Sequence, residues 1–286
     1  MSEELEGGPL GGLRIGLIER RHPPGYRGAV VQKLIPLLRE AGATVELAHA
    51  ELGLHRLDEA PPWDLVVLKS GSTAALHLAA AAEGWGVPSI NAAEATRLAQ
   101  DKLAGASLLQ SAGLPIAPAH TLWLDATNAK DGEQRLADLR SRPVVVKAAR
   151  GSRGVGLWVA EAGELEDLVT KLPSGPYLIM ERVPHVGDDL KVYVAGEWMV
   201  AIERPFPASS LEEKLGRPAD MPEEVATATH EAGRLLGLTC YGCDFVRGPN
   251  GWVMVDVNAF PGYKGAEGAP EALVQEISRT AEAVSR

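Results

Sequence analysis

Two segments near the end of the chain carry acidic and amide side chains inside otherwise apolar stretches. The segment YGCDFV contains Asp244, and VMVDVNAFPG contains Asp256 and Asn258. Both segments are predicted to be strands, and the period of two places Asp256 and Asn258 on one face. Carboxylates inside apolar strands are costly unless they are paired or bind a cation. Carboxylate and amide oxygens suit Mg²⁺, so we predict that these three residues hold magnesium; strand acids that face the solvent are the alternative.

A glycine-rich segment in the middle of the chain has the composition of a phosphate-binding loop. In VVVKAARGSRGVGL, Lys147 ends an apolar strand, and glycines stand at positions 151, 154 and 156. Glycine lets backbone amides approach phosphate oxygens, and a lysine offers them a point charge. The order differs from a Walker P-loop, because the lysine precedes the glycines. A glycine-rich hairpin turn has a similar composition, so this segment alone does not decide the function.

Other polar residues lie where they would face the same site. Lys102 is in a predicted helix, early enough to point into a cleft between lobes, although most helical lysines lie on the surface. Glu181 to Val183 end a strand before a proline-containing loop, which suits a hinge whose backbone binds adenine. Asp189 and Lys191 share a strand face, and Arg204 ends the next strand.

Strands and helices alternate in the first part of the chain. Short apolar runs predict strands and helical spacing predicts helices, and their alternation indicates βαβ units around a small parallel sheet. We therefore predict an α/β lobe over residues 12–96. Its strands are expected at 13–18, 43–48, 64–68 and 87–90, and its helices at 30–41 and 73–83.

The second part of the chain has a different organisation. A long helix is predicted over 92–111, and helices are also expected over 222–236 and from about 270. Strands in between suggest an α+β region with antiparallel sheet, in which the last two pair around the turn GPNG. We divide it into lobes 97–182 and 183–286. The predicted strands are 142–148, 156–160, 177–181, 189–195, 198–204, 239–246 and 251–257.

Composition restricts the class of protein. The net charge of −10 argues against non-specific nucleic-acid binding, which needs a basic face. No apolar run approaches the roughly 20 residues that span a bilayer, and the first dozen residues lack the regions of a signal peptide. We expect no membrane partner and a cytoplasmic location, and a homo-oligomer stays open. Cys240 and Cys243 have no second Cys or His pair at zinc spacing, so we interpret them as strand residues.

The substrate site is predicted from basic residues near the strand ends. Ligands gather at the carboxyl ends of parallel strands, where Arg20, Arg21 and Lys69 follow the first and third strands. His185 and Lys264 are further candidates. These charges suit a small anionic substrate, but a solvated loop explains them equally well.

The order of motifs over residues 97–265 resembles the ATP-grasp superfamily. The motifs are DKL with SAGLPIAP, VVVK with RGVG, MERV, DLKVYVAG, ERP, CDF and DVNAFPGYKG. The resemblance implies an ATP-grasp fold in which Lys102 and Lys147 hold the phosphates of ATP and a lid contains Ser152 and Gly154. It implies that Glu181 to Val183 form the adenine hinge and that Asp189 lies near the ribose.

The resemblance also implies the chemistry. Asp244, Asp256 and Asn258 would hold two Mg²⁺ ions, with Mn²⁺ as a substitute, on the β- and γ-phosphates. Arg204 would stabilise the transferred phosphoryl group, and Lys191 is the second catalytic candidate.

Two branches of the superfamily share these motifs. The glycine loop and DKL with AGLP resemble the RimK-like ligases, which join a carboxylate to an amine through an acyl phosphate; this is our main interpretation. LKVYVAGEW, ERPF and NAFPGYKG resemble the inositol trisphosphate 5/6-kinases, which makes a small-molecule kinase the alternative. A non-catalytic nucleotide-binding regulator is a third hypothesis, since a fold does not fix a function.

Overall fold

Three separate β-sheets organise the chain in the computed structural model. The structure describes residues 8–20, 29–53, 55–125, 136–150, 156–185, 187–205 and 210–284. Of the predicted site residues, Arg21, Ser152 and Gly154 lie outside the described residues. Within the described ranges, parallel pairing is confined to the first sheet, apart from one isolated bridge, and the other two sheets are antiparallel, as the sequence predicted.

The first sheet is parallel and has the strand order β2-β1-β3-β4. All four residues of β3 are buried, as is typical of a parallel strand that is covered on both faces. Its strands are β1 (Arg14–Ile18), β2 (Thr44–Ala48), β3 (Leu65–Leu68) and β4 (Ser89–Ile90), and its helices are α1 (Ala29–Glu40) and α2 (Thr73–Gly84).

The prediction of a single helix over 92–111 is wrong, because the structure has two helices there. They are α3 (Ala93–Gln100) and α4 (Lys102–Ser111). Asp101 separates them with an extended backbone (φ −80°, ψ 96°), and its carboxylate accepts hydrogen bonds from the amides of Leu103 and Ala104 at 3.1 and 3.0 Å. An aspartate that caps its own downstream helix competes with a continuous helix. As a result, Lys102 opens α4.

The second sheet has the order β5-β8-β6-β7. Its edge strand β5 was not predicted, and it is held by antiparallel pairing with β8. A short helix, α5 (Leu165–Val169), packs on this sheet through Leu165 and Val169. The strands are β5 (Ala119–Leu124), β6 (Val144–Ala148), β7 (Leu157–Ala160) and β8 (Gly175–Glu181).

The third sheet has the order β11-β10-β9-β12-β13. Its strands are β9 (Asp189–Ala195), β10 (Trp198–Arg204), β11 (Arg217–Ala219), β12 (Cys240–Gly248) and β13 (Gly251–Ala259). Its helices are α6 (Leu211–Leu215), α7 (Glu223–Leu236) and α8 (Ala269–Val284).

The first and third sheets share one hydrophobic core. Leu34 and Leu38 of α1 pack in the same buried cluster as Leu273 and Ile277 of α8. The closing helix therefore fastens the end of the chain to the first lobe. No helix in the described part of the chain is long and apolar enough to cross a membrane.

Candidate functional site

A cleft of about 310 Å³ lies between the second and third sheets. The strand ends that border it come from β6, β7 and β8 on one side and from β9, β10, β12 and β13 on the other. Ten of the predicted site residues line it: Lys102, Lys147, Glu181, Val183, His185, Asp189, Arg204, Asp244, Asp256 and Asn258.

The acidic pair lies on adjacent strands. Asp244 of β12 is directly opposite Asp256 of β13, and two pairs further along the ladder Asn258 is opposite Gly242. Side chains of directly opposite residues are about 5 Å apart at Cβ, so one ion can reach both carboxylates. The Asn258 amide nitrogen donates to Asp256 Oδ2 at 3.1 Å. This bond leaves the amide oxygen of Asn258, Oδ1, directed away from Asp256 as the atom that can bind a cation.

This donor set suits magnesium in the presence of phosphates. The described residues contain no group of three or more His, Cys, Asp or Glu side chains that could hold a metal by themselves. Mg²⁺ is commonly bound by one or two carboxylates together with substrate phosphates and water, rather than by an all-protein cage. Two carboxylates and an amide in a cleft next to lysines fit that mode.

The acids are compensated by basic side chains. Lys102 is paired with Asp256, and Lys191 with Asp244. Burial acts to raise the pKa of Asp256, but the charges of Lys102 and Lys147 outweigh it and lower this pKa to about 2. Burial lowers the pKa of Lys147, whose ammonium group donates to the Val255 carbonyl oxygen at 2.6 Å. The lysines are thus held next to the acids, where they can meet an anionic ligand.

The two predicted catalytic residues, Lys191 and Arg204, differ in their access to the cleft. Lys191 pairs with Asp244 in the β9–β12 register and is not among the residues that line the cleft. Burial acts to lower its pKa, but the Asp244 carboxylate outweighs burial and raises it. Arg204 lines the cleft, with Nη2 3.9 Å from Asp244 Oδ1. Lys191 therefore supports Asp244 from inside the sheet, whereas Arg204 can reach a ligand.

Asp189 is a buried carboxylate without complete pairing. Its side chain is 8% exposed, and His185 Nε2 is 3.8 Å from Oδ1. Oδ1 has no hydrogen-bond partner among the described residues. Burial raises the pKa of Asp189 to about 6, and the nearby charges of Arg204 and His185 offset only part of that effect. A hydroxyl donor on a bound ligand would satisfy this oxygen.

The far end of the cleft is apolar. Leu157 and Val159 of β7 are 45% and 48% exposed, and both side chains line the cleft. The Glu181 carboxylate is paired with Arg142, so a ligand at residues 181–183 would meet the backbone rather than this side chain. Sequence reasoning missed these walls, because alternating apolar residues in a strand do not show which face borders a cleft. The remaining apolar wall consists of Ala117, Val145, Met180, Val246 and Val255.

Three of the predicted substrate residues do not line the cleft. Arg20 is exposed after β1, and Lys264 lies in the turn after β13. The Lys69 ammonium group donates to the Phe260 carbonyl oxygen at 2.9 Å. His185 is the one substrate candidate that borders the cleft among those the structure describes.

Both predicted strand cysteines lie on β12 with buried, free thiols. Cys240 packs in the core shared with the first lobe, and Cys243 packs against α7 on the other face. Burial raises the pKa of each thiol well above its ordinary value. Their position is that of core residues.

Comparisons with known proteins agree on the fold. No protein-family model matches the chain. The chain is 32% identical over 200 residues to a probable alpha-L-glutamate ligase of Thioalkalivibrio sulfidiphilus (strain HL-EbGR7), a match that covers 65% of this chain and 64% of that relative, slightly under two thirds.

Solved structures extend the likeness to nearly the whole chain. A RimK domain ATP-grasp protein from Sphaerobacter thermophilus DSM 20745 has a TM-score of 0.72 at 20% identity and covers 94% of this chain and 99% of its own. The ATP-grasp ligase PsnB, complexed with a minimal precursor, Mg and ADP, has a TM-score of 0.63 at 19% identity and covers 96% and 97%.

Proposed function

We propose that this chain, a member of the ATP-grasp superfamily that resembles its RimK-like ligases, joins a carboxylate to an amine with ATP and Mg²⁺. The observation that carries the proposal is the single cleft, which gathers two lysines, an arginine, a hinge and the acidic pair. Each is unremarkable alone, but together they supply what phosphoryl transfer needs: positioning and charge stabilisation.

The nucleotide fits the cleft in one direction. Its adenine lies between Leu157, Val159 and the opposite apolar wall, with its polar edge on the backbone of residues 181–183. The ribose hydroxyls donate to the unpaired oxygen of Asp189. Lys102 and Lys147 bind the phosphates, which places the γ-phosphate next to the acidic pair.

Asp244, Asp256 and Asn258 would hold Mg²⁺ beside the phosphates, and we propose two ions. Bound magnesium neutralises charge that develops on the phosphate oxygens. Lys191 holds the Asp244 carboxylate in place, because the two form an ion pair inside the sheet. Arg204 faces the same region and stabilises the phosphoryl group as it is transferred.

The reaction has two steps. A carboxylate oxygen of the first substrate attacks the γ-phosphorus, and the bond to the bridging oxygen breaks, which releases ADP. The amine nitrogen of the second substrate then attacks the acyl carbon, loses a proton and expels inorganic phosphate. Because the curated relative is called a probable alpha-L-glutamate ligase, glutamate is the first substrate to test, and its carboxylates agree with a small anionic substrate.

The experiment follows the γ-phosphate of ATP. The protein is given labelled ATP, Mg²⁺ and glutamate, alone and with pools of other amino acids or peptides, and a parallel reaction contains inositol phosphates. Free phosphate that appears with glutamate, or with glutamate and a second amino acid or peptide, together with an amide product, supports the ligase. Label on an organic product would instead indicate a kinase, and ATP that binds without being consumed would refute catalysis.

A further inference from the structure

The turn after β13 has an unusual backbone. Phe260 and Tyr263 are the two residues other than glycine that have positive φ angles in the described part of the chain, at 40° and 48°. Both side chains are almost fully buried. A bulky residue in this region carries a steric cost, so the surrounding contacts must hold it there.

Three hydrogen bonds from different elements hold this turn. The Phe260 amide donates to the Cys240 carbonyl oxygen at 2.8 Å. The Tyr263 hydroxyl donates to the Val194 carbonyl oxygen at 2.7 Å. The Lys69 ammonium group donates to the Phe260 carbonyl oxygen at 2.9 Å and lies 5.6 Å from the centre of the Phe260 ring.

Lys69 is the contact that comes from the first lobe. It follows β3, at the carboxyl end of the parallel sheet, and is 191 positions from Phe260 in the chain. Phe260 is two residues beyond Asn258, the last of the three residues to which we assign the metal. Phe260 directly follows β13, so a turn that Lys69 holds limits how far the end of the strand that bears Asn258 can move.

We propose that Lys69 is a positioning residue, which holds the strained turn after β13 and thereby fixes Asn258 for metal binding. This inference rests on the proposed function. It replaces the prediction that Lys69 binds substrate, because its ammonium group is directed at a backbone carbonyl and a ring of its own chain. The first lobe thus contributes to the metal site without supplying a ligand.

The test measures metal binding in the presence of ADP. Mn²⁺ is titrated into the protein saturated with ADP and followed by electron paramagnetic resonance, for the wild type, Lys69→Met and Lys69→Arg. Lys69→Met should weaken Mn²⁺ binding about tenfold and leave metal-free ADP affinity within about twofold, because the other cleft residues are intact. Lys69→Arg should restore most of the loss, since it can donate to the same carbonyl.

A matched control is Lys33→Met, which removes an exposed lysine from α1 in the same lobe and should leave Mn²⁺ binding unchanged. Hydrogen exchange of the segment 257–264 should be faster in Lys69→Met alone. If Lys69→Met fails to fold, Lys69→Gln takes its place, because its shorter side chain keeps polarity but loses reach.

Two results overturn the inference. If Lys69→Met has the Mn²⁺ affinity and the hydrogen-exchange rates of the wild type, the turn after β13 does not depend on Lys69. An increase confined to the KM of the acceptor would make Lys69 a substrate residue. A wild-type protein that binds no Mn²⁺ with ADP would instead refute the proposed function, and this inference with it.

Discussion

Asn91 joins the first lobe to the strands that carry the acidic pair. It follows β4 and is 2% exposed. Its Oδ1 accepts hydrogen bonds from the amides of Thr239 and Cys240 at 2.9 and 2.8 Å, and its Nδ2 donates to the Cys240 carbonyl oxygen at 2.7 Å. The beginning of β12 is therefore satisfied by one side chain from another lobe.

The cost of Asn91→Ala follows from these contacts. The Cys240 carbonyl oxygen keeps the hydrogen bond from the Phe260 amide at 2.8 Å, so the buried Cys240 amide and the part-buried Thr239 amide lose their acceptor. An unsatisfied buried donor costs about 1–3 kcal/mol, and Thr239 is exposed, so the loss at the Cys240 amide gives about 2 kcal/mol for the substitution. That is a large share of the roughly 5–15 kcal/mol by which a native protein is stable.

The assay is urea unfolding followed by tryptophan fluorescence and by circular dichroism. Hydrogen exchange of the Thr239 and Cys240 amides reports the local effect. Ser89→Ala is the matched control, because this Oγ on β4 is buried and has no hydrogen-bond partner within the described ranges. It should change the free energy of unfolding by less than about 0.5 kcal/mol. A loss below about 1 kcal/mol in Asn91→Ala would refute the reasoning.

Four further predictions concern the cleft. Asp256→Ala should abolish ATP-dependent turnover and leave the circular dichroism spectrum intact; unchanged activity would remove this residue from the metal site. Lys147→Ala should weaken ATP binding roughly tenfold or more in a calorimetric titration, since a charge-assisted hydrogen bond is lost; equal affinity would remove it from the phosphate site. Arg204→Ala should lower kcat more than ATP affinity, and the opposite result in steady-state kinetics would make it a structural residue. The pKa of Asp189 is raised from 3.8 to about 6 by burial, so its stability contribution is complete below pH 4 and is lost as the pH rises through 6. The free energy of unfolding of Asp189→Asn should therefore rise relative to that of the nucleotide-free wild type by about 1–2 kcal/mol, after solvent screening, between pH 4 and 7 in urea unfolding, and a pH-independent difference would contradict this.

Local patterns predicted the long elements well. Strands β9 and β10 have the predicted bounds, and α7 differs from prediction by one residue at its start. The elements that were missed are short or lie at sheet edges. Strand β11 has three residues, includes Pro218 and is defined by its pairing with β10. Such a segment has no periodicity of its own, so only its partner makes it a strand.

The break at Asp101 shows that hydrophobic periodicity can also predict a helix that is longer than the observed ones. Apolar spacing continues through residues 92–111, yet the Asp101 side chain caps α4 and ends the continuous helix. The prediction weighed hydrophobic spacing and ignored the competing hydrogen bonds of one aspartate. The break matters for the site, because it makes Lys102 the first residue of α4 rather than a residue in the middle of a longer helix.

Local sequence patterns predicted which residue types could carry the chemistry and which strands bear them. The spacing of Asp256 and Asn258, the position of Lys147 at a strand end and the order of the motifs are local properties, and they led to the ATP-grasp fold. Tertiary structure decided which side chain meets which. Lys102 contacts Asp256, which is 154 positions away in the sequence, and Lys69 contacts Phe260, which is 191 positions away. Strand period and helix spacing specify the face on which a side chain lies, whereas its partner depends on how the sheets pack and on their register. For that reason Lys69 and Lys191, which were also predicted to act at the site, do not line the cleft, whereas Lys102 does.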